Sequence, residues 1–548
     1  MRLLLAALIL FPTSLLAISS ESAVDTQLTT EQILPQFSTA KFKQKAKLIE
    51  QVERSGDGLS AVVLETLLKG ELFYLKSDKG ILSKVTQLDD AQYEVTQLNA
   101  DKTVTVIEKK ALKKQYKKVK TNNKLRKAIK LSLARINLVN GTVDEKLKAL
   151  EGLLASKSRG VPDLIRPLYE SEENADVKEM MSVVLAVSTL KDSDSIDEQL
   201  AAVEILTGRL ETPVKVSLTK LYESLKGKKD SDSRKLRKKT EKALASIEDK
   251  VGFYQFIEKL FFGLSLGSVL LLAAIGLAIT FGVMGVINMA HGEMIMIGAY
   301  TTYVIQLLMP NLIEYSLFVA IPAAFLMSGL VGVVIQRTVI RYLHGRPLET
   351  LLATFGISLI LQQAVRTIFS PLNRQVVSPE WISGALELNP VLSLTYNRLY
   401  ILAFSILVFI TLVAIIKKTS LGLNVRAVSQ NRDMAKAMGV RTEWVDAMTF
   451  GLGSGVAGVA GVALSQLTNV GPNLGQAYII DSFMVVVFGG VGNLLGTLVG
   501  AFTLGVANKF MEPITGAVLA NILVLVFIIL FIQKRPKGLF PQKGRAAE

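Results

Sequence analysis

The chain has no cysteine and only two histidines in 548 residues. Without thiols, no disulfide braces an exported segment and no thiolate metal site can form. Two imidazoles are too few for a multi-histidine zinc centre. There is no Walker A sequence, so ATP is not bound through a P-loop; no cofactor is expected and the chain does not read as an enzyme. Charge is scarce over half the length. Of 62 basic and 47 acidic residues, about 78 precede residue 251, and the remainder of the chain is overwhelmingly apolar. A polar half followed by a membrane half accounts for this asymmetry. The net charge of +15 does not indicate nucleic acid. After residue 250 the basic residues sit at the ends of apolar runs, where they orient a membrane protein.

The first residues, Met1-Arg2-Leu3-Leu4-Leu5, open an apolar run that reaches Ala17 and gives way to Ser19 and Ser20. It is too short to span comfortably and reads as a signal peptide over 1–19. Residues 20–250 are then exported and mostly helical. Apolar residues at helical spacing run from Lys41 to Lys69, interrupted by Ser55-Gly56-Asp57-Gly58. Asp144–Glu170 and Asp197–Glu223 resemble each other at an offset of 53 and each reads as helix, turn, helix, which suggests a HEAT-like solenoid. Between these segments, Glu71–Val106 alternates polar and apolar residues, as in a small β hairpin.

From 251 to 548 the apolar segments fall near 257–282, 284–308, 315–336, 349–369, 397–416, 446–468, 478–509 and 515–532. Each is close to the ~20 residues that cross a bilayer, except the longer, glycine-rich seventh. The expected fold class is therefore all-α: a polytopic helix bundle of about eight to nine spans behind an exported helical domain. With the start outside, Arg337, Arg341 and Arg346, and then Lys417–Arg441, all fall inside, as the positive-inside rule requires. Lys534, Arg535 and Lys537 join them only if the seventh segment is a broken pair or re-enters around Gly489–Gly496.

Polar residues inside these segments are the candidates for chemistry. Asn288, His291 and Glu293 are expensive at membrane depth and should face a cavity or each other. They either line a solute path or cap a helix junction. Gln362, Gln466, Asn469 and Asp481 are further candidates for a path, each also able to serve as a cap or a helix–helix hydrogen bond. His291-Gly292-Glu293 fits half of a zinc deaminase site, but the paired cysteines of the other half do not exist. Gly453-Ser454-Gly455-Val456-Ala457-Gly458 spells a dinucleotide fingerprint. It lies in an apolar span with no preceding soluble strand, so close helix packing explains it better. In the loop near 417–441, Asn431 or Gln430 can start a short helix and Gly439 can end it, with Ala435 and Met438 forming a small apolar face. Such a helix suits docking to a partner; a basic loop that only sets topology is the alternative.

Asn288-Met289-Ala290-His291-Gly292-Glu293, the loop from Arg426-Ala427 to Gly439-Val440, Gly489-Gly490-Val491-Gly492-Asn493-Leu494-Leu495-Gly496 and Arg535-Pro536-Lys537-Gly538-Leu539-Phe540 occur in this order and spacing. Together they resemble the permeases of the branched-chain amino acid ABC importer family, over about residues 256–541. The resemblance implies a second related permease subunit, two cytoplasmic ATPase subunits and a periplasmic solute-binding protein. It also implies that Arg426, Ala427, Asn431, Arg432, Ala435, Met438 and Gly439 belong to the segment that couples to an ATPase. An exported domain ahead of the permease, and the run Gly276–Met289, resemble the urea-transporting subgroup. The expectation is thus an inner-membrane permease for urea, with its amino-terminal domain in the periplasm. A branched-chain amino acid importer is the alternative, and a stand-alone channel or secondary transporter the alternative of another class.

Overall fold

The computed structural model describes residues 28–87, 92–98, 103–155, 160–228, 230–343 and 345–540. The expected signal peptide, 1–19, lies outside the described residues. The chain divides into two compact units, Met1–Ile247 and Glu248–Glu548.

The first unit is not purely helical. Strands β1 (Leu72–Leu75), β2 (Leu82–Gln87), β3 (Gln92–Gln97), β4 (Val104–Glu108) and β5 (Tyr116–Lys118) form an antiparallel sheet in the order β4-β3-β2-β1-β5. The expected hairpin is therefore a five-stranded sheet, which corrects the all-α reading. The alternating stretch Glu71–Val106 covers most of the first four strands, twice the number a hairpin holds. The fifth is three residues long and comes after the lysine-rich helix Lys109–Gln115, so no alternation marks it. Around the sheet, the interruption at Gly56-Asp57 separates helices Phe42–Ser55 and Gly58–Lys69, as expected. Gly56 takes a φ of 56°, and the Asp57 carboxylate accepts the Leu59 and Ser60 amides at the start of the second helix. The two similar segments each hold two helices, Val143–Leu154 and Val161–Ser171, then Ile196–Leu206 and Thr212–Leu225, but all four pack on the helix between the segments, Ala175–Asp192, rather than within each pair. Ile33, Leu34, Phe37, Ile49, Leu64, Leu72 and Ile129 build this unit's main core.

Helix α1 (Ser231–Met284) begins in the charged stretch and continues as the first membrane segment. The second unit then has α2 (His291–Leu308), α3 (Ile313–Thr338), α4 (Pro347–Phe369), α5 (Tyr396–Lys418), α6 (Ser420–Gln430), α7 (Arg432–Ala437), α8 (Thr442–Ser465), α9 (Leu474–Gly489), α10 (Leu494–Thr515) and α11 (Ala517–Lys534). Among the described residues, seven helices are long and apolar enough to cross a membrane: α1, α3, α4, α5, α8, α10 and α11. The membrane segment of α1 and helix α8 are buried along most of their length, whereas α11 is hardly buried at all. Outer helices that expose apolar side chains need a bilayer or partner subunits around them, so this is a multi-pass membrane protein.

Small residues hold the centre together, because lipid offers helices no hydrophobic drive to associate. A Cβ added at Gly298 of α2 would lie 1.9 Å from the Gly458 carbonyl oxygen of α8. The glycines of the apparent dinucleotide fingerprint are thus contact points between α8 and its neighbours. The seventh apolar segment is two helices, α9 and α10, broken at Gly490–Asn493. That break is the one on which the parity of the basic loops depends.

Candidate functional site

Two breaks in the bundle meet. Helix α1 stops at Met284, where Gly285 turns the chain at a φ of 68°, and α2 starts at His291. Between α9 and α10, Gly490 and Gly492 have φ values of 106° and 77°. Each break carries an asparagine that accepts backbone amides ahead of or at the start of the next helix, and of the two only Asn493 is the helix's N-cap. The Asn288 Oδ1 accepts the Ala290 amide at 3.0 Å, and the Asn493 Oδ1 accepts those of Leu495 and Gly496 at 3.1 and 3.2 Å. The Asn493 cap stabilises α10 by about 1 kcal/mol. A Cβ at Gly282 would lie 2.4 Å from the Gly492 Cα, so backbone touches backbone there. The Arg535–Phe540 motif closes the second break from below. Leu539 and Phe540 donate their amides to the Phe488 and Gly489 carbonyls at 2.9 and 3.1 Å, and Asn493 donates to the Phe540 carbonyl at 3.1 Å. The tail thus satisfies carbonyls that the end of α9 leaves open.

The candidate residues separate by role. His291 is fully buried and its Nε2 lies 2.9 Å from the Ala273 carbonyl of α1. A carbonyl only accepts, so Nε2 carries the proton and His291 pins α2 to α1. Glu293 and Gln362 come together: the Glu293 Oε1 accepts from Gln362 Nε2 at 2.7 Å and from Ser358 Oγ at 2.8 Å. The other oxygen, Oε2, is buried without a partner. A buried carboxyl oxygen without a partner is costly, and His291 Nδ1 is likewise buried without one. Ser358 was not singled out from the sequence; its position four residues before Gln362 is the signal that could have found it.

Gln466, Asn469 and Asp481 do not join that centre. Gln466 caps the far end of α8, where its carbonyl accepts from Asn397 at 3.4 Å. Asn469 stands exposed in the connection to α9. Asp481 is half-buried and lines a separate cavity of about 290 Å³ between α1, α9, α10 and α11. Tyr478, the Lys509–Glu512 ion pair at 2.5 Å and the hydrogen-bonded Asn508 and Asn521 share that cavity. A Lys-x-x-Glu inside an apolar span was the available signal for this cluster. Among the described residues no group of three His, Asp or Glu side chains gathers for a metal.

The loop after α5 is a built structure rather than a free one. Asn431 starts α7 by accepting the Met434 amide at 3.0 Å, and Gly439 ends it at a φ of 87°. Arg432 forks onto Asp446 of α8, Nη1 to Oδ1 at 3.2 Å and Nη2 to Oδ2 at 2.5 Å. Arg426 donates to the Ile416 carbonyl at 2.9 Å, and Ala427 packs beside Val425 and Val428. Ala435 and Met438 do not share an apolar face. Ala435 is buried with Val425, Val428 and Val445, while Met438 is 81% exposed. The free apolar surface of the segment is instead Leu423, Met434 and Met438. Arg426 and Ser429 also line a small cavity with Gly282 and Gly492, so this segment abuts the meeting point of the two breaks.

Comparison with known proteins agrees with this architecture. Residues 259–533 match the family model described as branched-chain amino acid transport system / permease component. The high-affinity branched-chain amino acid transport system permease protein LivH of Salmonella typhimurium is 31% identical over 298 residues, covering 52% of this chain and 96% of LivH. The corresponding protein BraD of Pseudomonas aeruginosa is 29% identical over 297 residues, with the same coverage. A shorter stretch, 137 residues at 27% identity, matches the ribose import permease RbsC of Bacillus subtilis, covering 23% of this chain and 42% of RbsC. No solved structure matches the chain. On the family match and the extent of these relatives, the chain belongs to the branched-chain amino acid transport system permease component family.

Proposed function

We propose that this chain is the membrane-spanning permease subunit of an ATP-driven importer, moving a small polar solute of amino acid or amide type across a bacterial inner membrane. The observation that carries the reading is the α6–α7 segment. It is clamped to α8 by the Arg432–Asp446 fork, presents Met434 and Met438 outward, and abuts the two facing breaks. A cytoplasmic ATPase that grips Met434 and Met438 would push on α8 and on the Gly282–Gly492 contact together. Every strongly basic connection gathers at this end, which the positive-inside rule assigns to the cytoplasm. The first unit is then periplasmic, and its helices, grouped around Ala175–Asp192, offer a surface to a solute-binding protein. A second, related permease would complete the bundle.

On this reading the solute passes Glu293 and Gln362 and enters or leaves by the cavity around Asp481. Branched-chain amino acids have the closer support, from the names of the relatives. Urea has support of another kind: the family match begins at residue 259, so the unit ahead of it is an addition, and such an addition resembles the urea-transporting subgroup. Uptake of radiolabelled leucine and urea, in parallel, by a strain deleted for this chain decides between them. Loss of leucine uptake alone assigns the amino acid, loss of urea uptake alone assigns urea, and retention of both refutes the two assignments.

A further inference from the structure

The basic end carries a surface that solute import leaves unused. A groove of about 610 Å³ opens between the end of α3 and the start of α8, lined by Arg337, Lys436, Arg441, Glu443 and Trp444 among others. The Arg337 guanidinium lies over the Trp444 ring, 5.2 Å from its centroid. Glu443 is the one carboxylate in the lining, and Arg341 holds it at 3.0 Å. Among the described residues, Arg337, Lys436 and Arg441 have no carboxylate partner. Three cations therefore share one pocket with no anion left over for them.

The surroundings say which anion fits. Leu326, Leu330 and Val334 stand four residues apart on α3, exposed by 67%, 61% and 49%, on a line that leads to Arg337. The opposite side of α3 packs on α8 through Gly329 and Gly332, so this apolar line faces away from the bundle. Trp444 and Tyr342, 53% and 74% exposed, sit where the line ends, at the level indole and phenol rings favour in a membrane. An inorganic phosphate would meet the cations but leave the apolar line uncovered.

We propose that this groove binds the headgroup of an anionic phospholipid, its phosphate between Arg337, Lys436 and Arg441 and an acyl chain along Leu326, Leu330 and Val334. Lys436 belongs to α7, so the bound lipid ties that short helix to the membrane boundary. The inference rests on the bundle lying in a bilayer, not on which solute it moves, and its test does not read uptake.

Trp381 and Trp444 are the two tryptophans of the chain. Trp381→Phe keeps a ring on Phe318, which Trp381 stacks on at 5.5 Å, and leaves Trp444 as the sole indole reporter. The full chain carrying this change is placed in nanodiscs of phosphatidylcholine, with brominated phosphatidylglycerol or brominated phosphatidylcholine at equal mole fraction. The expected result is stronger quenching of Trp444 by the brominated phosphatidylglycerol. Each of Lys436→Gln and Arg441→Gln weakens that preference about fivefold, since a basic residue near an anionic surface contributes on the order of 1 kcal/mol. Both positions are exposed, so folding does not depend on them. Equal quenching by the two lipids overturns the proposal, as does a preference that survives both substitutions. Displacement by chainless glycerol phosphate would assign the groove to a soluble phosphate, and displacement by added ATPase subunits would assign it to a protein partner.

Discussion

Asp446 is the most demanding residue at the basic end. Its side chain is 4% exposed and its charge is answered by Arg432, itself 29% exposed. Removing one partner of such a pair leaves a buried charge without an answer, a loss of about 3 kcal/mol at the lower end of what buried pairs show. In Arg432→Ala that loss falls on the local opening of α7, because the fork is what ties α7 to α8 while Asn431 and Gly439 only shape its ends. Since every 1.4 kcal/mol is tenfold, amides of residues 433–438 should exchange with solvent roughly a hundredfold faster. The assay is hydrogen exchange on the full chain in nanodiscs, with Arg432→Ala, Asp446→Asn and the double variant compared. The double variant should recover most of the lost protection, because no charge is then stranded. Single-variant effects that add within about 0.5 kcal/mol would refute the argument, since residues in one interaction should not be additive. Recovered protection is not recovered function: assemblies of the proposed ATPases with the double variant or with Arg432→Glu should hydrolyse ATP without matching solute uptake.

Other expectations come from the same structure. Gly298→Val places a branched side chain where a Cβ alone would lie 1.9 Å from a carbonyl oxygen, and should lower thermal stability by at least the roughly 1–3 kcal/mol of overpacking; an unchanged melting temperature would contradict the packing described. Glu293→Gln keeps an oxygen for Ser358 and Gln362 but replaces the free one, so the chain should reach the membrane normally while KM for uptake rises about tenfold, the loss of one hydrogen bond to a charged acceptor. An unchanged KM would make Glu293 a packing residue. In the first unit, burial opposes the Asp57 charge, but hydrogen bonds from Thr30 and Ser60 outweigh it and hold the carboxyl below the usual aspartate range. A depressed carboxyl stabilises above its unfolded pKa of about 4 and loses that contribution as pH falls through the folded value. Asp57→Asn, an equally good cap without the charge, should therefore be destabilised by about 1 kcal/mol near neutral pH, the margin of hydrogen bonds to a charged acceptor, with the gap to the wild type closing in acid; calorimetry showing a constant gap would exclude the charge as its source.

How much of this the sequence disclosed depends on whether the signal was local. Seven of the expected spans (the second, 284–308, is not among the helices long and apolar enough to cross), the interruption at Gly56-Asp57, the start of α7 at Asn431 and its end at Gly439 are caps, periods and glycines, and each is written within a few residues. Parity of the basic loops even required the break between α9 and α10 before any geometry was known. The misses are contacts across the chain. Ala435 turns inward because Val445 of α8 completes its pocket, so no helical wheel of the loop alone assigns it. The Arg432–Asp446 fork, the tail capping α9 at Phe488 and Gly489, and the Asn508–Asn521 pair join different helices, and nothing in their spacing announces them. Strand β5 escaped for the same reason: three residues become a strand only because β1 lies beside them.

The most direct test of the central claim is solute flux in vesicles made with the full chain alone, and then with its proposed partners, a second permease, ATPases and a binding protein from the same organism. The account predicts no flux for the chain alone, and uptake in the complete assembly that stops when ATP is withheld. Downhill flux through the chain alone would contradict it and make this protein a channel or secondary transporter in its own right.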